Sequence, residues 1–262
     1  MPTYEKTVLT AQARQLGFLT APFEKMTRLT EILRFINEAD KLRETLALKG
    51  GTAINLTMFN LPRLSVDIDL DFTKNLPKED TKIKREEIGK LLSLYMTAEG
   101  YKKHGRSKST HILDSFVYSY TNVAGNSDNI KVEINYSLRS HVLPVVEMIA
   151  RVSEVFIPIP VRILAPIEIF ASKIVALSDR AAARDLYDLN NMIYYNLFNE
   201  HDLGLLLSPS WPLKNLSICA YIHSCWALLP NLLSFLFFLC NWMPIRFMAW
   251  AFLNNFFFHY AI

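Results

Sequence analysis

The sequence lacks the short motifs that identify several large classes of nucleotide- and metal-binding protein. It contains no Walker-type or dinucleotide-type glycine motif, which argues against a P-loop NTPase and against a Rossmann fold. Cys and His residues do not occur at the spacing of a metal site, and no internal repeat indicates a solenoid. The formal net charge of +3 is too small to indicate nucleic-acid binding by itself.

The N-terminus also lacks the pattern of an export signal. Residues 1–12 have no basic segment followed by an apolar run, so no secretory signal is expected and a cytoplasmic location is predicted. At 262 residues the chain can bury a sizeable core, either as one large domain or as two small ones.

Acidic residues are absent from the last part of the chain. All 25 Asp and Glu residues lie at or before Asp202, and only Lys214 and Arg246 are charged beyond it. All four Trp and all three Cys lie in this same part. The composition therefore predicts two regions, a folded domain over 1–204 and an atypical hydrophobic tail over 205–262.

The tail allows two interpretations. Residues 216–240 carry no charge and are long enough to cross a bilayer of about 30 Å, although Pro230 interrupts them. If the tail is genuine, such a segment would bring the protein into contact with a membrane. Alternatively, the tail is a frame-shifted or displaced reading of the gene's 3′ end, because a changed frame would explain the sudden restriction of Trp and Cys to it. Translation of the DNA beyond codon 196 in the other frames distinguishes the two.

The region before the tail mixes helices and strands without regular alternation. Apolar spacing predicts helices, and alternation predicts strands, over the following residues: helices 22–38, 81–100, 166–177 and 183–196, and a hairpin of strands 112–122 and 129–138. This order differs from the regular strand–helix repeat of a doubly wound fold, so we predict an α+β domain.

One strand carries acids in strict alternation with aliphatic residues. Asp67, Asp69 and Asp71 share one face, because residues two apart in a strand point to the same side. Like charges so placed repel unless a cation holds them, and Mg²⁺ prefers carboxylate oxygens. We therefore interpret Asp67 and Asp69 as catalytic residues that bind Mg²⁺, with Asp71 as a weaker candidate. The alternative is a solvated edge strand protected by its charges.

A glycine pair precedes the acidic strand. Gly50 and Gly51 offer bare backbone N–H groups to a phosphate chain, and Thr52 adds a hydroxyl. Ser65 lies on the acidic face and could add a second hydroxyl. Arg63 could meet a phosphate or could be a surface charge. We predict that these five residues bind a nucleotide; the alternative for the glycine pair is a simple turn.

These residues resemble a known family. "KGGTAINLTMFNLPRLSVDIDLDF", residues 49–72, closely resembles the first motif of the AbiEii-type nucleotidyltransferase toxins, which belong to the DNA polymerase β-like nucleotidyltransferase superfamily. "EIFASKIVALSDRAAARDLYDLNNM", residues 168–192, is similar to a later segment of the family. The resemblance covers roughly residues 20–196. It implies a nucleotidyltransferase-like mixed sheet with flanking helices, and the toxin of a toxin–antitoxin or abortive-infection system.

The resemblance also implies further site residues. A third carboxylate of the superfamily comes from a later strand, and Glu133 fits that position; the alternative is a surface charge paired with a lysine. Lys173 is implied to contact the triphosphate, although a lysine in an apolar helix often extends its amine to the surface. Asp185 is implied to bind the nucleotide and Asp188 to act as a catalytic acid. The alternative for Asp188 is a helical ion pair with Arg184.

The implied partners are an NTP, a cognate antitoxin and an acceptor such as a tRNA 3′ end. The basic loop 101–108 could follow an RNA backbone, or it could simply be solvated. A competing function is a degenerate nucleotidyltransferase that binds nucleotide or antitoxin without turnover. The sequence does not specify which NTP, which acceptor or which antitoxin is used, or the oligomeric state.

Overall fold

A computed structural model describes residues 5–59, 63–137, 141, 143–151, 158–180 and 182–195. The hydrophobic tail, and with it the predicted domain boundary at 204 and 205, lies outside these residues, so both stay predictions. The chain divides into two compact units, Met1–Ile169 and Phe170–Ile262.

The described residues form seven helices and eight strands. The helices are α1 (Lys6–Gln15), α2 (Thr20–Glu38), α3 (Asp40–Arg43), α4 (Gly50–Thr57), α5 (Lys78–Ala98), α6 (Pro166–Arg180) and α7 (Ala183–Tyr194). The strands are β1 (Leu46–Lys49), β2 (Asp67–Phe72), β3 (Lys102–Lys103), β4 (Lys108–Ser109), β5 (Leu113–Thr121), β6 (Ser127–Asn135), β7 (Val146–Ala150) and β8 (Ile159–Ile163).

All eight strands belong to one mixed sheet in the first unit. Its order is β3-β5-β6-β2-β1-β8-β7, and β4 pairs with the outer side of β5. Strand β2 is central, parallel to β6 and antiparallel to β1. The predicted α+β fold, a mixed sheet with flanking helices, is confirmed.

The two faces of the sheet differ because the strands alternate in character. On β5 and β6 buried positions, mostly aromatic or aliphatic, alternate with half-exposed positions that are mostly polar. Helices cover the buried face: the ring of Phe116 lies 3.9 Å from the position of a Cβ on Gly89 of α5. The Arg28 guanidinium of α2 lies 4.4 Å from the centre of the Tyr120 ring on the same face. The acids of β2 therefore lie on the face opposite to these helices.

Most predicted elements of the first unit are present. The helices predicted over 22–38 and 81–100 are α2 and α5, and the predicted hairpin is formed by β5 and β6, which pair in antiparallel register. One local prediction was incomplete, because the basic loop contains the short strands β3 and β4. The glycine pair opens helix α4, so the alternative of a simple turn is wrong.

The helices at the end of the described chain follow the sequence pattern closely. Helix α6 begins at Pro166, where proline suits the first helical position, and α7 spans Ala183–Tyr194. In α7 the apolar residues Leu189 and Met192 are buried. None of the helices in the described part of the chain combines the length and apolar composition that crossing a bilayer requires.

Candidate active site

The acids of β2 lie beside charged residues of both neighbouring strands. Asp69 is in register with Glu133 of β6 and with Lys49 of β1, and Asp67 is in register with Lys131. Residues in register point to the same face of a sheet, so the structure brings Glu133 to the row of acids on β2. The sequence alone suggested this neighbourhood only through the family resemblance.

Gly50 lies directly against one of these carboxylates. Its backbone has φ +72°, a left-handed conformation that side chains other than glycine rarely adopt. A Cβ built at this position would lie 2.8 Å from Oδ2 of Asp69. Both the backbone conformation and the close approach therefore require glycine, and together they fix the start of α4 beside Asp69.

The N-terminus of α4 faces the same region as the acids. The first N–H groups of a helix have no partner within the helix and favour an anion such as a phosphate. Gly51 is buried and its carbonyl accepts a hydrogen bond of 2.8 Å from the Asn55 side chain. The glycine pair thus opens a regular helix, so the alternative of a simple turn is wrong, and the start of this helix is suited to a phosphate.

Thr52 and Ser65 hold the start of β2. The Thr52 hydroxyl is fully buried and donates a hydrogen bond of 2.5 Å to the Asp67 carbonyl oxygen. The hydroxyl oxygens of Thr52 and Ser65 are 2.9 Å apart. In this arrangement Thr52 positions the acidic strand rather than offering its hydroxyl to a ligand, and its predicted contact with the nucleotide remains untested.

Arg63 lies at the edge of the described segment before β2. It is half-buried, and its Nη1 lies 3.5 Å from the Leu64 carbonyl oxygen. The phosphate contact stays a prediction.

Four carboxylates lie on this face, namely those of Asp67, Asp69, Asp71 and Glu133. Two lysines neutralise two of them. Lys49 Nζ lies 2.5 Å from Oδ1 of the buried Asp71, and Lys131 Nζ lies 2.9 Å from Oε2 of Glu133. Partial burial works against the charge of Lys131, but the Glu133 carboxylate raises the lysine pKa. Within the described part of the chain, no ion pair reaches the carboxylates of Asp67 or Asp69. The two acids predicted to bind metal therefore hold the uncompensated charge, which equals that of one divalent cation.

Glu133 shows both features that were considered for it. It lies in register with Asp69, as a third acid of the site would, and it is paired with a lysine, as a surface charge would be. Among the described residues, no group of three or more His, Cys, Asp or Glu side chains is arranged to hold a metal ion. A cation bound by Asp67 and Asp69 would thus take its other ligands from water and substrate phosphates, as Mg²⁺ commonly does.

The environment of Asp69 disfavours its charged form. Burial raises the pKa of Asp69 above its ordinary value of 3.8, and the Glu133 and Asp67 carboxylates raise it further, while Lys49 and Lys131 act in the opposite direction. A bound cation would reverse this effect, since it favours the carboxylate form. The acids and the close glycine therefore fit a cation site.

We expect Asp69→Asn to stabilise the protein at neutral pH but not in acid. Because Asp69 takes up its proton at a higher pH in the folded chain than in the unfolded chain, its contribution to the free energy of unfolding falls as the pH rises through that interval. The gain from Asn should therefore be absent below about pH 4 and present at pH 7. Urea unfolding without divalent cations at both pH values measures it. Glu86→Gln, at an exposed acid of α5, is the control, and an equal pH dependence in both variants would contradict the expectation.

We expect Lys49→Met to destabilise the protein by about 3 kcal/mol. Asp71 is 1% exposed, and burial already raises its pKa, so loss of Lys49 leaves a buried carboxylate without its lysine partner. Urea unfolding of the full chain at pH 7 measures the loss. In the double variant Lys49→Met/Asp71→Asn most of the stability should return, and a double variant as unstable as the single one would show that the pair is not the cause.

The second unit contains a buried charge cluster. Lys173 Nζ lies 3.0 Å from Oδ1 of Asp185 and 2.8 Å from Oδ2 of Asp188. Lys173 is 7% exposed, Asp185 is fully buried and Asp188 is 1% exposed. The alternative in which Lys173 extends its amine to the surface is therefore wrong. The nucleotide-binding and catalytic roles predicted for these three residues remain untested.

Sequence analysis did not assign Lys49 or Lys131 to the site, and it did not predict helix α4. Lys49 directly precedes the glycine pair, and nothing in its position indicates that it meets Asp71. Lys131 lies two residues before Glu133, and a lysine partner was the alternative considered for that acid. The start of α4 was hidden because glycine has low helix propensity. An alternation of lysine and acid, as in "KVE", is the only local signal for the Lys131–Glu133 pair.

The fold is that of nucleotidyltransferase toxins. MenT4 (Rv2826c), a nucleotidyltransferase toxin of Mycobacterium tuberculosis H37Rv, matches with a TM-score of 0.51 and 18% identity, over 72% of this chain and 64% of its own. JHP933 from Helicobacter pylori matches with a TM-score of 0.48 and 24% identity, over 70% of this chain and 73% of its own. No curated protein matches the sequence.

The sequence identifies the family within this class. Residues 32–205 match the family described as nucleotidyl transferase AbiEii toxin of a type IV toxin–antitoxin system. The match spans more than half of the chain, so the protein belongs to the AbiEii family of nucleotidyltransferase toxins. The predicted family, and the prediction that the protein is a nucleotidyltransferase, are confirmed.

Proposed function

We propose that the protein transfers a nucleotide from an NTP to an acceptor hydroxyl, with Mg²⁺ bound by Asp67 and Asp69. The observation that carries this proposal is the uncompensated pair of carboxylates on β2, next to the glycine start of α4. A tRNA 3′ end is the acceptor that the family resemblance suggests. The family also implies a cognate antitoxin as the protein partner.

In this reaction the acceptor oxygen attacks the α-phosphorus of the NTP. The bond between that phosphorus and the bridging oxygen of the β-phosphate breaks, and pyrophosphate leaves with the electron pair. A bound Mg²⁺ would neutralise charge on the phosphates during transfer. The acceptor proton passes to a carboxylate or to water, and Glu133 or Asp188 is the proposed base.

The chain's own residues supply the phosphate contacts. The N–H groups at the start of α4, from Gly50 and Gly51, are suited to the triphosphate, with Ser65 and Arg63 as further proposed contacts. Thr52 supports the site by holding the first residue of β2. The predicted contacts of Lys173 and Asp185 with the nucleotide remain part of the proposal.

Two forms of labelled NTP test this proposal. The full chain is incubated with Mg²⁺, total RNA and an NTP labelled at the α- or the γ-phosphate. Transfer of a nucleotide moves only the α-label to the RNA and releases the γ-label as pyrophosphate. Transfer of the γ-label to an acceptor, or no transfer of either, contradicts the proposal.

The same experiment distinguishes nucleotide transfer from the second candidate function, which is nucleotide binding without turnover. A degenerate nucleotidyltransferase would bind the NTP, as measured by equilibrium dialysis, and would leave both labels on intact NTP. The intact set of acids on β2 favours the enzyme over this alternative.

A further inference from the structure

The acidic face of the sheet continues across β6 and β5 to a basic edge. Asp69 is in register with Glu133, Glu133 with Ser115 of β5, and Ser115 with Lys108 of β4. Since residues in register point to the same face, one row of side chains crosses from the acids of β2 to the edge of the sheet. Three strand spacings separate Asp69 from Lys108, which is about 14 Å.

A second lysine lies at the same edge, opposite a residue of β5 four positions after Ser115 and on the same face. Ser119 of β5 is in register with Lys102 of β3. Lys102 and Lys108 are exposed, and Ser115, Val117 and Ser119 between the edge and β6 are half-exposed. We call Lys102 and Lys108 the lysine edge. The face between the lysine edge and the acids is therefore open to solvent and mostly polar.

The lysine edge belongs to a strongly basic segment. Residues 101–111 contain four Lys or Arg residues and no acid. The segment is also held in place, because Arg85 of α5 donates hydrogen bonds to the Thr110 carbonyl oxygen at 2.5 Å and to the Ser109 hydroxyl at 2.7 Å. Arg85 further forms an ion pair with Asp114 at 2.5 Å. The positive charge is thus displayed at a fixed position.

We propose that this open face, from the lysine edge to the acids of β2, binds a single-stranded polynucleotide that supplies the acceptor hydroxyl. The inference rests on the proposed function, and it adds the surface on which the acceptor strand lies. Phosphates of the strand would contact Lys102 and Lys108. The terminal ribose hydroxyl would reach the acids.

Charge favours a polynucleotide over an acidic protein segment on this face. A cationic edge attracts either partner, but the uncompensated acids at the other end of the face repel carboxylates. A ribose hydroxyl is uncharged, so a strand that ends at Asp67 and Asp69 avoids this repulsion. The face therefore matches a ligand with charge along its length and a neutral reactive end.

The chain contains a matched control for the lysine edge. Lys103 follows Lys102 directly but is in register with the buried Tyr118, so it points to the opposite face. Its Nζ lies 4.9 Å from the centre of the Phe116 ring. Lys102 and Lys103 are both exposed and carry the same charge, so their Met variants remove the same charge from opposite faces of the sheet.

Fluorescence anisotropy with labelled RNA and DNA strands of about 12 nucleotides tests the proposal on the full chain. At about 0.1 M salt, Lys102→Met and Lys108→Met should each weaken RNA binding about fivefold. Each should also lower the slope of log affinity against log salt concentration by the amount expected for about one phosphate contact. Lys103→Met should weaken it less than about twofold. Saturable binding of either strand that weakens in the lysine-edge variants supports the proposal, and a difference in affinity between the strands identifies the preferred polynucleotide.

Three results would overturn the proposal: no saturable binding of either strand, equal losses in the Lys102 and Lys103 variants, or unchanged binding in both lysine-edge variants. Displacement of the RNA by poly-glutamate at equal charge would assign the face to an acidic protein instead. Label transfer is measured separately on the same variants. Transfer with unchanged binding in the lysine-edge variants refutes only this inference, whereas selective binding without any transfer refutes only the proposed reaction.

Discussion

Asp67→Asn and Asp69→Asn are each expected to reduce nucleotide transfer by about 100-fold or more. Cation binding contributes several kcal/mol to stabilising charge in a phosphoryl transition state, and each 1.36 kcal/mol corresponds to a factor of ten in rate. Asn keeps the shape of Asp but offers no negative charge to the cation. Initial rates of α-label transfer at saturating NTP measure the loss.

The fold should survive both substitutions. The carboxylates of Asp67 and Asp69 form no ion pair within the described residues, so removing their charge relieves repulsion from Glu133 and from each other. Urea midpoints at or above that of the wild type are expected. Glu86→Gln on α5 is the activity control, because Glu86 is exposed. Near-normal transfer by either Asn variant would show that the metal site has been assigned to the wrong residues.

Gly50→Ala is expected to damage both stability and activity. A side chain at φ +72° costs about 1–2 kcal/mol, and the new Cβ would lie 2.8 Å from Oδ2 of Asp69. Asp69 or the start of α4 must therefore shift. Since a displacement of about 1 Å in an active site can cost about 100-fold in rate, we expect a loss of that order in transfer.

Gly17→Ala separates the effect of backbone strain from the effect of the contact with Asp69. Gly17 has φ +75°, almost the same as Gly50, but a Cβ there would meet nothing within 4 Å. The free energy of unfolding should fall in Gly17→Ala through backbone strain alone, with transfer per folded molecule unchanged. If Gly50→Ala is no less active than Gly17→Ala, the contact between Gly50 and Asp69 has no role in the site.

The sequence predicted the acidic face well because strand periodicity is local. Asp67 and Asp69 alternate with Ile68 and Leu70, which are buried, so the side of the strand that each residue occupies follows from its position. The alternation of apolar and polar residues also predicted the hairpin of β5 and β6. Helices α2 and α5 were likewise predictable from their apolar spacing.

The electrostatic partners on neighbouring strands were not predictable, because they depend on strand order. Lys49 meets Asp71 only because β1 lies beside β2, and Glu133 reaches Asp69 only because β6 lies on the other side. Lys173 illustrates the same limit. A local rule for lysine in an apolar helix favours the surface, but Asp185 and Asp188 of the next helix bury its amine in ion pairs.

The close approach of Gly50 to Asp69 also required the structure. A glycine pair in a sequence indicates an unusual backbone conformation, but not which side chain occupies the space that a Cβ would fill. The short strands β3 and β4 were missed for a similar reason. Two residues are too few for a periodic pattern, and these strands form only because β5 offers its outer side.

Titration of the full chain with Mn²⁺, followed by the electron paramagnetic resonance of the free ion, tests the central claim most directly. The uncompensated charge of Asp67 and Asp69 predicts about one saturable site per chain in the absence of nucleotide. This site should be lost in Asp67→Asn and in Asp69→Asn, and should persist in Glu86→Gln. Saturable binding that is equally strong in the wild type and both Asn variants would contradict the assignment of the cation site to strand β2.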